Sequence, residues 1–207
     1  AGERMIEQNS RGTAIVLEEA CRRGMKSILY VSSIAALEGR GAGPIGPDAP
    51  LSASHTPYRR SKTEAEAIAR SLQEKGHPLS IVYPSAVLGP CDPGLSEANA
   101  GIRTMVRLCG LVTATGMQFI DVRDLARIIR LLLEKGESGR YCAGGIFQPW
   151  RTVTDQMRAV TGRRIPRVTL PGFLFRGAGR AVDAIQRILP LHLEFSLEAA
   201  RFATQWR

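Results

Sequence analysis

The sequence predicts an α/β fold built around a doubly wound parallel sheet. Short apolar segments at residues 27–31 and 79–83 alternate with longer segments of helical periodicity. This alternation is expected when helices cover both faces of a parallel sheet. The segment at 27–31 is also mostly apolar along its length, as expected of a strand that is buried on both sides.

The first part of the chain predicts a helix, a strand, a long loop and a second helix. Apolar side chains recur at helical spacing from residue 9 to residue 23, and Gly24 ends the pattern. After the strand at 27–31, residues 36–57 are rich in Gly, Pro, Ala and Ser. They predict a long loop, and long ordered loops usually serve a function. Pro57 then opens a helix at a position where its missing amide donor costs nothing.

The second part of the chain continues the alternation and then changes. It predicts a short helix at 102–109, a strand at 117–122, an apolar helix at 125–133 that starts at Asp124, and a strand at 139–143. After residue 152 the pattern is mainly helical, with helices at 153–160, 173–189 and 197–205 and an extended stretch at 167–170.

The chain carries a net charge of +9, with 28 Lys and Arg residues against 19 Asp and Glu residues. Such an excess is compatible with an anionic ligand or nucleic acid, and also with arginines spread over solvated helix faces. The basic residues are scattered, and no aromatic residues are interleaved with them. We therefore favour solvated faces and expect no nucleic-acid partner. No apolar run reaches the roughly 18 residues of a membrane span.

Metal and disulfide chemistry are not expected. The four cysteines, Cys21, Cys91, Cys109 and Cys142, are far apart, with no CxxC pair and no nearby histidine. Zinc sites need closer ligand spacing, so free thiols in a reducing cytosol are the simpler interpretation. We predict a cytoplasmic protein without a metal ion.

Tyr58 and Lys62 lie one helical turn apart, so a helix brings the phenol and the ammonium onto the same face. A cation next to a phenol lowers the phenol pKa, which suits the phenol to exchange a proton near neutral pH. Ser32 and Ser33 follow the strand at 27–31. A hydroxyl at a strand end can hold the carbonyl or alcohol oxygen that Tyr58 protonates or deprotonates.

Five sequence blocks, in this order, resemble the NAD-dependent epimerase/dehydratase family of extended short-chain dehydrogenases/reductases, most closely its dihydroflavonol-reductase-like members. The blocks are 9–13 (NSRGT), 30–36 (YVSSIAA), 58–62 (YRRSK), 83–90 (YPSAVLGP) and 119–126 (FIDVRDLA). Five ordered blocks are far more specific than the Tyr/Lys pair. The resemblance implies a Rossmann-like fold, and beyond about residue 150 only the general pattern of a variable substrate lobe matches.

The resemblance implies a role for each catalytic residue. Tyr58 exchanges a proton with the substrate oxygen while the nicotinamide of NAD or NADP exchanges a hydride. Lys62 lowers the Tyr58 pKa and binds the nicotinamide ribose. Ser33 hydrogen-bonds the reacting oxygen, and Ser32 is the alternative residue for this role. Ser32 is also expected to bind the cofactor. Sugar-epimerase relatives often carry this hydroxyl one residue later, where this chain has Ile34, and a serine at a strand end can also simply cap the local backbone.

The resemblance also implies that Asn9, Pro84 and Val87 approach the cofactor, together with Tyr58 and Lys62. Asn9 matches an asparagine that approaches the cofactor in the family, although asparagine is also a common helix N-cap. Pro84 and Val87 match positions whose backbone lines the nicotinamide end. A proline can also simply end a strand.

We expect two domains from the resemblance. Residues 1–145 form a partial dinucleotide-binding domain with a substrate-lobe insertion near 94–114, and residues 146–207 form a small, incomplete, helix-rich C-terminal substrate lobe. Four aromatic residues are expected in the core rather than against a ligand: Trp150, Phe173, Phe175 and Phe195.

The family binds the cofactor pyrophosphate at a glycine-rich turn between its first strand and first helix. Only eight residues precede Asn9, and they contain no such turn. The glycines at 39, 41, 43 and 46 lie in the loop before Tyr58 instead. We therefore expect that roughly 90–110 residues of a typical member are missing upstream, judged from two or three strand–helix units of about 30 residues.

The predicted function is hydride transfer between a nicotinamide and a carbonyl or alcohol substrate, in an oxidoreductase or in an epimerase with a transient keto intermediate. Two alternatives stay open: a non-catalytic NAD(P)-binding sensor, and an inactive fragment that cannot bind cofactor alone. The expected partner is a small carbonyl or alcohol substrate. A second copy of the chain, in a homodimer, is the other partner that we consider. The residues do not distinguish NAD from NADP, or a sugar nucleotide from a flavonoid, a steroid or an aldehyde.

Overall fold

The structure is a computed structural model that describes residues 2–39, 43–188, 200, 201, 203 and 204 of the 207-residue chain. The chain forms two compact units. The first consists of Ala1–Ser85 and Ile120–Gly144, and the second of Ala86–Phe119 and Gly145–Arg207. Within the described residues, no helix combines the length and the apolar character that a membrane span requires.

Helices and strands alternate along the chain. The helices are α1 (Gly2–Arg22), α2 (Pro57–Glu74), α3 (Glu97–Arg107), α4 (Val122–Lys135), α5 (Trp150–Thr161) and α6 (Gly172–Ile188). The strands are β1 (Ile28–Val31), β2 (Leu79–Pro84), β3 (Ala86–Leu88), β4 (Gly110–Val112), β5 (Gly116–Asp121), β6 (Gly139–Ala143), β7 (Ile146–Pro149) and β8 (Arg167–Thr169). A short 3-10 turn at Ile34–Ala36 follows β1.

The first unit is built on a parallel sheet with the strand order β1–β2–β6. Ile28 lies opposite Leu79, and Ser80 lies opposite Gly139. The central strand β2 is buried along its whole length. One face of the sheet forms a core with α1 and α2, made of Leu17, Ile28, Leu37, Ala69, Leu72, Leu79, Ile81 and Tyr83.

Helix α4 covers the other face of this sheet. It packs against β1 and β2 and buries Leu125 and Leu132. Side chains alternate between the two faces of a strand, so the face that α1 and α2 leave open is the one available to α4. The Asp121 side chain accepts a hydrogen bond from the backbone N–H of Arg123 at 2.8 Å and caps the start of α4. The sheet is therefore wound on both sides.

The second unit contains two small sheets. Strand β5 lies between β3 and β7 and pairs with β7 in the antiparallel sense, whereas β4 and β8 form a parallel pair. The core lies around α5, where Trp150, Val153 and Met157 are buried together with Ile165. The Phe119 ring meets the Trp150 ring edge-on, with a centroid separation of 6.1 Å.

The predicted α/β fold with a parallel sheet is confirmed, and three details are corrected. Helix α1 begins at Gly2, so Asn9 lies inside the helix and is not its N-cap. Helix α4 begins at Val122, because Asp121 rather than Asp124 accepts the capping bond. Val31 is 40% exposed, so β1 is not buried on both faces; within the described residues it is hydrogen-bonded to β2 alone.

Strands β3, β4 and β7 were not predicted. Each has only three or four residues, too few for an alternating pattern to stand out. Trp150 and Phe175 lie in the core as predicted, each 7% exposed, but the prediction for Phe173 was wrong because this side chain is 66% exposed. Positions 173 and 175 are about 200° apart around a helix, so both cannot face one core. Phe195 and most of the helix predicted at 197–205 lie outside the described residues.

Candidate active site

Tyr58 and Lys62 both lie at the start of α2, which runs from Pro57 to Glu74. The Tyr58 side chain is 36% exposed, and Lys62 is half-buried. Their four-residue spacing in a regular helix places both side chains on one face, as the sequence predicted. The phenol can therefore be reached by a ligand while the ammonium lies on the same side of the helix.

Ser61 holds this helical turn in place from its buried side. It is fully buried, and its hydroxyl donates to the Tyr58 carbonyl at 2.8 Å. The Ser61 hydroxyl oxygen also accepts a hydrogen bond from the side-chain amide of Asn9 at 3.1 Å. Helix α1 is thus tied to α2 at the turn that carries Tyr58 and Lys62. The family resemblance implied that Asn9 approaches the cofactor, and its bond to Ser61 was not predicted.

Ser32 and Ser33 follow β1 and have different surroundings. Ser32 is buried, and its hydroxyl has no hydrogen-bond partner among the described residues. Ser33 has an extended backbone and caps the 3-10 turn, where its hydroxyl oxygen accepts from the Ala35 N–H at 3.2 Å. The local capping role considered for Ser33 is therefore present. A hydroxyl that accepts one bond keeps its own hydrogen to donate, so capping leaves Ser33 able to donate to a substrate oxygen.

A second phenol, that of Tyr30, lies in the same part of the first unit and was missed from the sequence. Burial raises the pKa of Tyr30, a hydrogen bond with Thr13 lowers it in part, and the nearby Glu66 and Tyr58 raise it further. Tyr30 stands two residues before Ser32, and residues two apart point to the same face of a strand. The two-residue spacing between Tyr30 and Ser32 is the sequence signal from which Tyr30 could have been predicted to lie near the serine.

Pro84 and Val87 fall in different units. Pro84 ends β2 in the first unit, is buried, and lies opposite Ala143 in the sheet register. Val87 lies in β3 of the second unit and is half-buried. The first unit therefore holds every predicted site residue except Val87: Asn9, Ser32, Ser33, Tyr58, Lys62 and Pro84.

No phosphate-binding turn is found among the described glycines before Tyr58. Gly39, Gly43 and Gly46 lie in the segment between the 3-10 turn and α2, and Gly41 lies outside the described residues. Nowhere in the described ranges does a glycine-rich turn lead directly from a parallel strand into a helix. No group of three or more His, Cys, Asp or Glu side chains placed to hold a metal ion is found in the same ranges.

Comparison with known proteins places these observations in a family. Residues 1–144 match the model of the NAD dependent epimerase/dehydratase family. This match includes α1, the two serines after β1, the start of α2 and the end of β2.

Individual relatives are more distant. The chain is 28% identical over 183 residues to a putative dihydroflavonol 4-reductase from Synechocystis, with 83% of this chain and 53% of the relative covered. It is 26% identical over 194 residues to sterol demethylase protein B from Methylococcus capsulatus, with 89% of this chain and 58% of the relative covered. The chain therefore spans about half the length of the curated relatives it matches.

A solved structure supports the same fold. The crystal structure of gox2253 superimposes with a TM-score of 0.77 at 26% identity, and the match covers 100% of this chain and 65% of that one. Because the family model covers well over half of the chain, the assignment does not depend on any single relative. The chain belongs to the NAD dependent epimerase/dehydratase family, whose members are enzymes.

Proposed function

We propose that the protein is an NAD(P)-dependent oxidoreductase or epimerase that moves a hydride between a nicotinamide and a carbonyl or alcohol substrate. One observation carries the proposal. The start of α2 presents a partly exposed phenol, Tyr58, with Lys62 one turn further on, and Ser61 and Asn9 fix that turn from inside the unit. A pre-set acid/base group of this kind suits proton transfer to an oxygen.

Each residue has a defined part in this chemistry. The Tyr58 phenol donates a proton to a developing alkoxide, or accepts one from an alcohol in the opposite direction. The Lys62 ammonium favours the phenolate form of Tyr58, because an opposite charge stabilises an anion on the same helix face. Ser33 donates its free hydroxyl hydrogen to the substrate oxygen and orients it for Tyr58.

The side chains of the first unit fit the nicotinamide end of NAD or NADP. The buried Ser32 hydroxyl has no partner among the described residues, and a buried polar atom of this kind usually meets a ligand or a water molecule. Lys62, Ser32 and Asn9 would hold the nicotinamide ribose and its surroundings, and the backbone at Pro84 would line that end. When bound, the nicotinamide supplies or accepts the hydride.

The two units are proposed to have different binding roles. We assign cofactor binding mainly to the first unit, residues 1–85 and 120–144, and substrate binding mainly to the second. The substrate is a small carbonyl or alcohol compound. The names of the two relatives, which refer to a dihydroflavonol and a sterol, define the classes to assay first.

The test is a turnover assay on the protein as its gene encodes it. NADH and NADPH oxidation is followed with flavonoid, steroid and aldehyde carbonyls, and interconversion of sugar nucleotides is followed by chromatography. We expect turnover in at least one class and loss of that turnover in Tyr58→Phe. Tight NAD(P) binding without turnover in any class would instead support the sensor, and neither binding nor turnover would support the inactive fragment.

A further inference from the structure

We infer that Glu66 and Arg70 are positioning residues. Together with Tyr83 they form an internal clamp that holds the segment leading into Tyr58, here named the strap and defined as residues 43–56. Only the expected effect on turnover rests on the proposed function. The clamp itself is a structural feature, so it can be tested without any substrate.

The clamp is a buried cluster of one anion, one cation and one phenol. Glu66 is fully buried. One of its oxygens, Oε1, accepts from the Tyr83 hydroxyl at 2.6 Å and from Arg70 Nε at 2.9 Å. A second Arg70 nitrogen donates to the Tyr83 hydroxyl at 3.2 Å. Burial and the Glu66 charge both raise the pKa of Tyr83, so the phenol stays protonated and remains a donor to Glu66.

Arg70 connects this cluster to the strap. Its remaining terminal nitrogen donates to the Ala49 carbonyl at 3.2 Å. Glu66 and Tyr83 hold the guanidinium plane in one orientation, and that orientation fixes where the Ala49 carbonyl can sit. A planar guanidinium with donors in a fixed fork suits this task, whereas a lysine does not.

Other contacts dock the strap on the first unit. Ile45 and Ala49 pack against its core. The Ser52 N–H donates to the Ala36 carbonyl at 2.8 Å, and the Ala53 N–H donates to the Glu38 carboxylate at 2.9 Å. These two bonds come from the segment that follows β1, whereas the bond from Arg70 comes from α2, the helix that carries Tyr58.

The start of α2 depends on the strap because its own cap is weak. Thr56 occupies the N-cap position but makes no side-chain capping bond to the helix, and Pro57 follows it. A side-chain cap ordinarily stabilises a helix start by accepting from the first free backbone N–H groups. Tyr58 is the second residue of this helix. Its position therefore depends on where the strap places residues 56 and 57.

The energetics also argue that the cluster specifies a position rather than adding stability. The second oxygen of Glu66, Oε2, is buried and has no hydrogen-bond partner among the described residues. Buried ion pairs often contribute little net stability, and apolar replacements of similar volume are frequently neutral or stabilising. A partly satisfied buried carboxylate is therefore better explained by the orientation it gives to Arg70.

The experiment measures hydrogen–deuterium exchange of the strap amides of Ala49, Ser52 and Ala53 in the 207-residue chain. We expect Arg70→Met to speed their exchange by at least about tenfold relative to the amides of β2. The control is Glu64→Gln. Glu64 lies on the same helix and pairs with Arg60 at 2.9 Å, but in an exposed position, so we expect no change in the strap. Equal acceleration of strap and β2 amides in Arg70→Met would overturn the clamp.

A second variant covers the case in which Arg70→Met alone fails to fold. The apolar triple variant Glu66→Leu/Arg70→Met/Tyr83→Phe removes every charge of the cluster at similar volume. We expect it to keep a cooperative melting transition within a few degrees of the wild type while the strap exchanges faster. Slow, wild-type exchange of the strap in this variant would contradict the proposal.

Turnover then tests the positioning role. In the protein used for the turnover assay, Arg70→Lys is expected to lower kcat by about tenfold while leaving the dissociation constant for NAD(P) unchanged, because misplacing an acid/base group affects the reaction more than binding. An unchanged kcat with a loosened strap would refute the positioning role. A wild-type protein without any turnover would refute the proposed function instead, and the exchange data would still decide the clamp.

Discussion

The side-chain amide of Asn9 donates a 3.1 Å hydrogen bond to the hydroxyl of Ser61, which in turn donates to the carbonyl of Tyr58 at 2.8 Å. This pair joins α1 to α2 one residue before Lys62. It gives Asn9 a structural task, bracing the turn that carries the phenol and the ammonium. Whatever Asn9 contributes to cofactor binding, its amide nitrogen already serves that turn.

The Asn9–Ser61 bond is expected to be worth about 1 kcal/mol, as for a typical partly buried hydrogen bond between neutral groups. We predict that Asn9→Ala and Ser61→Ala each lower the free energy of unfolding, and that the double variant loses less than the sum of the two. Urea unfolding of all four proteins gives the coupling energy directly. Strictly additive losses would show that the two side chains do not interact.

The two serines after β1 should respond oppositely to alanine. Ser33→Ala removes the cap of the 3-10 turn and should cost about 1 kcal/mol of stability as well as lowering kcat. Ser32→Ala removes a buried hydroxyl that has no partner among the described residues, so the ligand-free protein should be unchanged or slightly more stable. Its NAD(P) affinity should fall.

Thermal unfolding and cofactor titration of both variants check this prediction. A Ser32→Ala protein that is less stable than Ser33→Ala in the absence of ligand would contradict it.

Asp121 should make the stability of the first unit depend on acid pH. Hydrogen bonds from the Arg123 side chain and backbone lower its pKa from 3.8 to about 2. Because the folded-state pKa lies below the unfolded value, the stabilisation is present above pH 3.8 and is lost as the pH falls through about 2. Asp121→Asn keeps an oxygen for the cap but removes the charge, so it should lower the urea midpoint at neutral pH only.

The control for this prediction is Asp124→Asn, which removes a charge from the same helical turn without touching the capping bond. We expect it to shift the neutral-pH midpoint less. A difference between Asp121→Asn and wild type that persists undiminished near pH 2 would show that the charge is not responsible.

In the second unit, Gly116 permits the close pairing of β5 and β7. A Cβ atom at this position would lie 2.3 Å from the Gln148 carbonyl oxygen, a backbone atom of the opposite strand. Gly116→Ala should therefore cost about 2–3 kcal/mol of stability. Gly101→Ala is the matched control: it lies in α3 with nothing within 4 Å of the added Cβ, and should gain about 0.5–1 kcal/mol. Equal effects of the two substitutions in calorimetry would contradict the close approach of Gly116 to Gln148.

The sequence predicted the α/β class and the start of α2 because these depend on local patterns. Pro57 marks the helix start, and the Tyr58–Lys62 spacing fixes a common face whatever surrounds it. The strand at 79–83 also stood out, since β2 is buried throughout. The five ordered blocks indicated the family, and the family match over residues 1–144 confirms it.

The remaining features depend on contacts between distant residues. Asn9 and Ser61 are 52 positions apart, and Tyr83 and Glu66 belong to different elements. Nothing in a single sequence shows that Glu66 is buried, because glutamate on a helix is usually solvated. Phe173 is a different case, because its two-residue spacing from Phe175 in a predicted helix already shows that both rings cannot face one core.

Tyr58, proposed as the acid/base of this protein, can be tested by removing its phenol oxygen alone. Tyr58→Phe removes a single oxygen from a side chain that is 36% exposed, so the fold should be retained. We predict that kcat falls by about 10²–10⁴-fold with unchanged NAD(P) affinity, whereas the control Tyr141→Phe on β6 keeps wild-type turnover. Undiminished turnover in Tyr58→Phe would exclude Tyr58 as the acid/base.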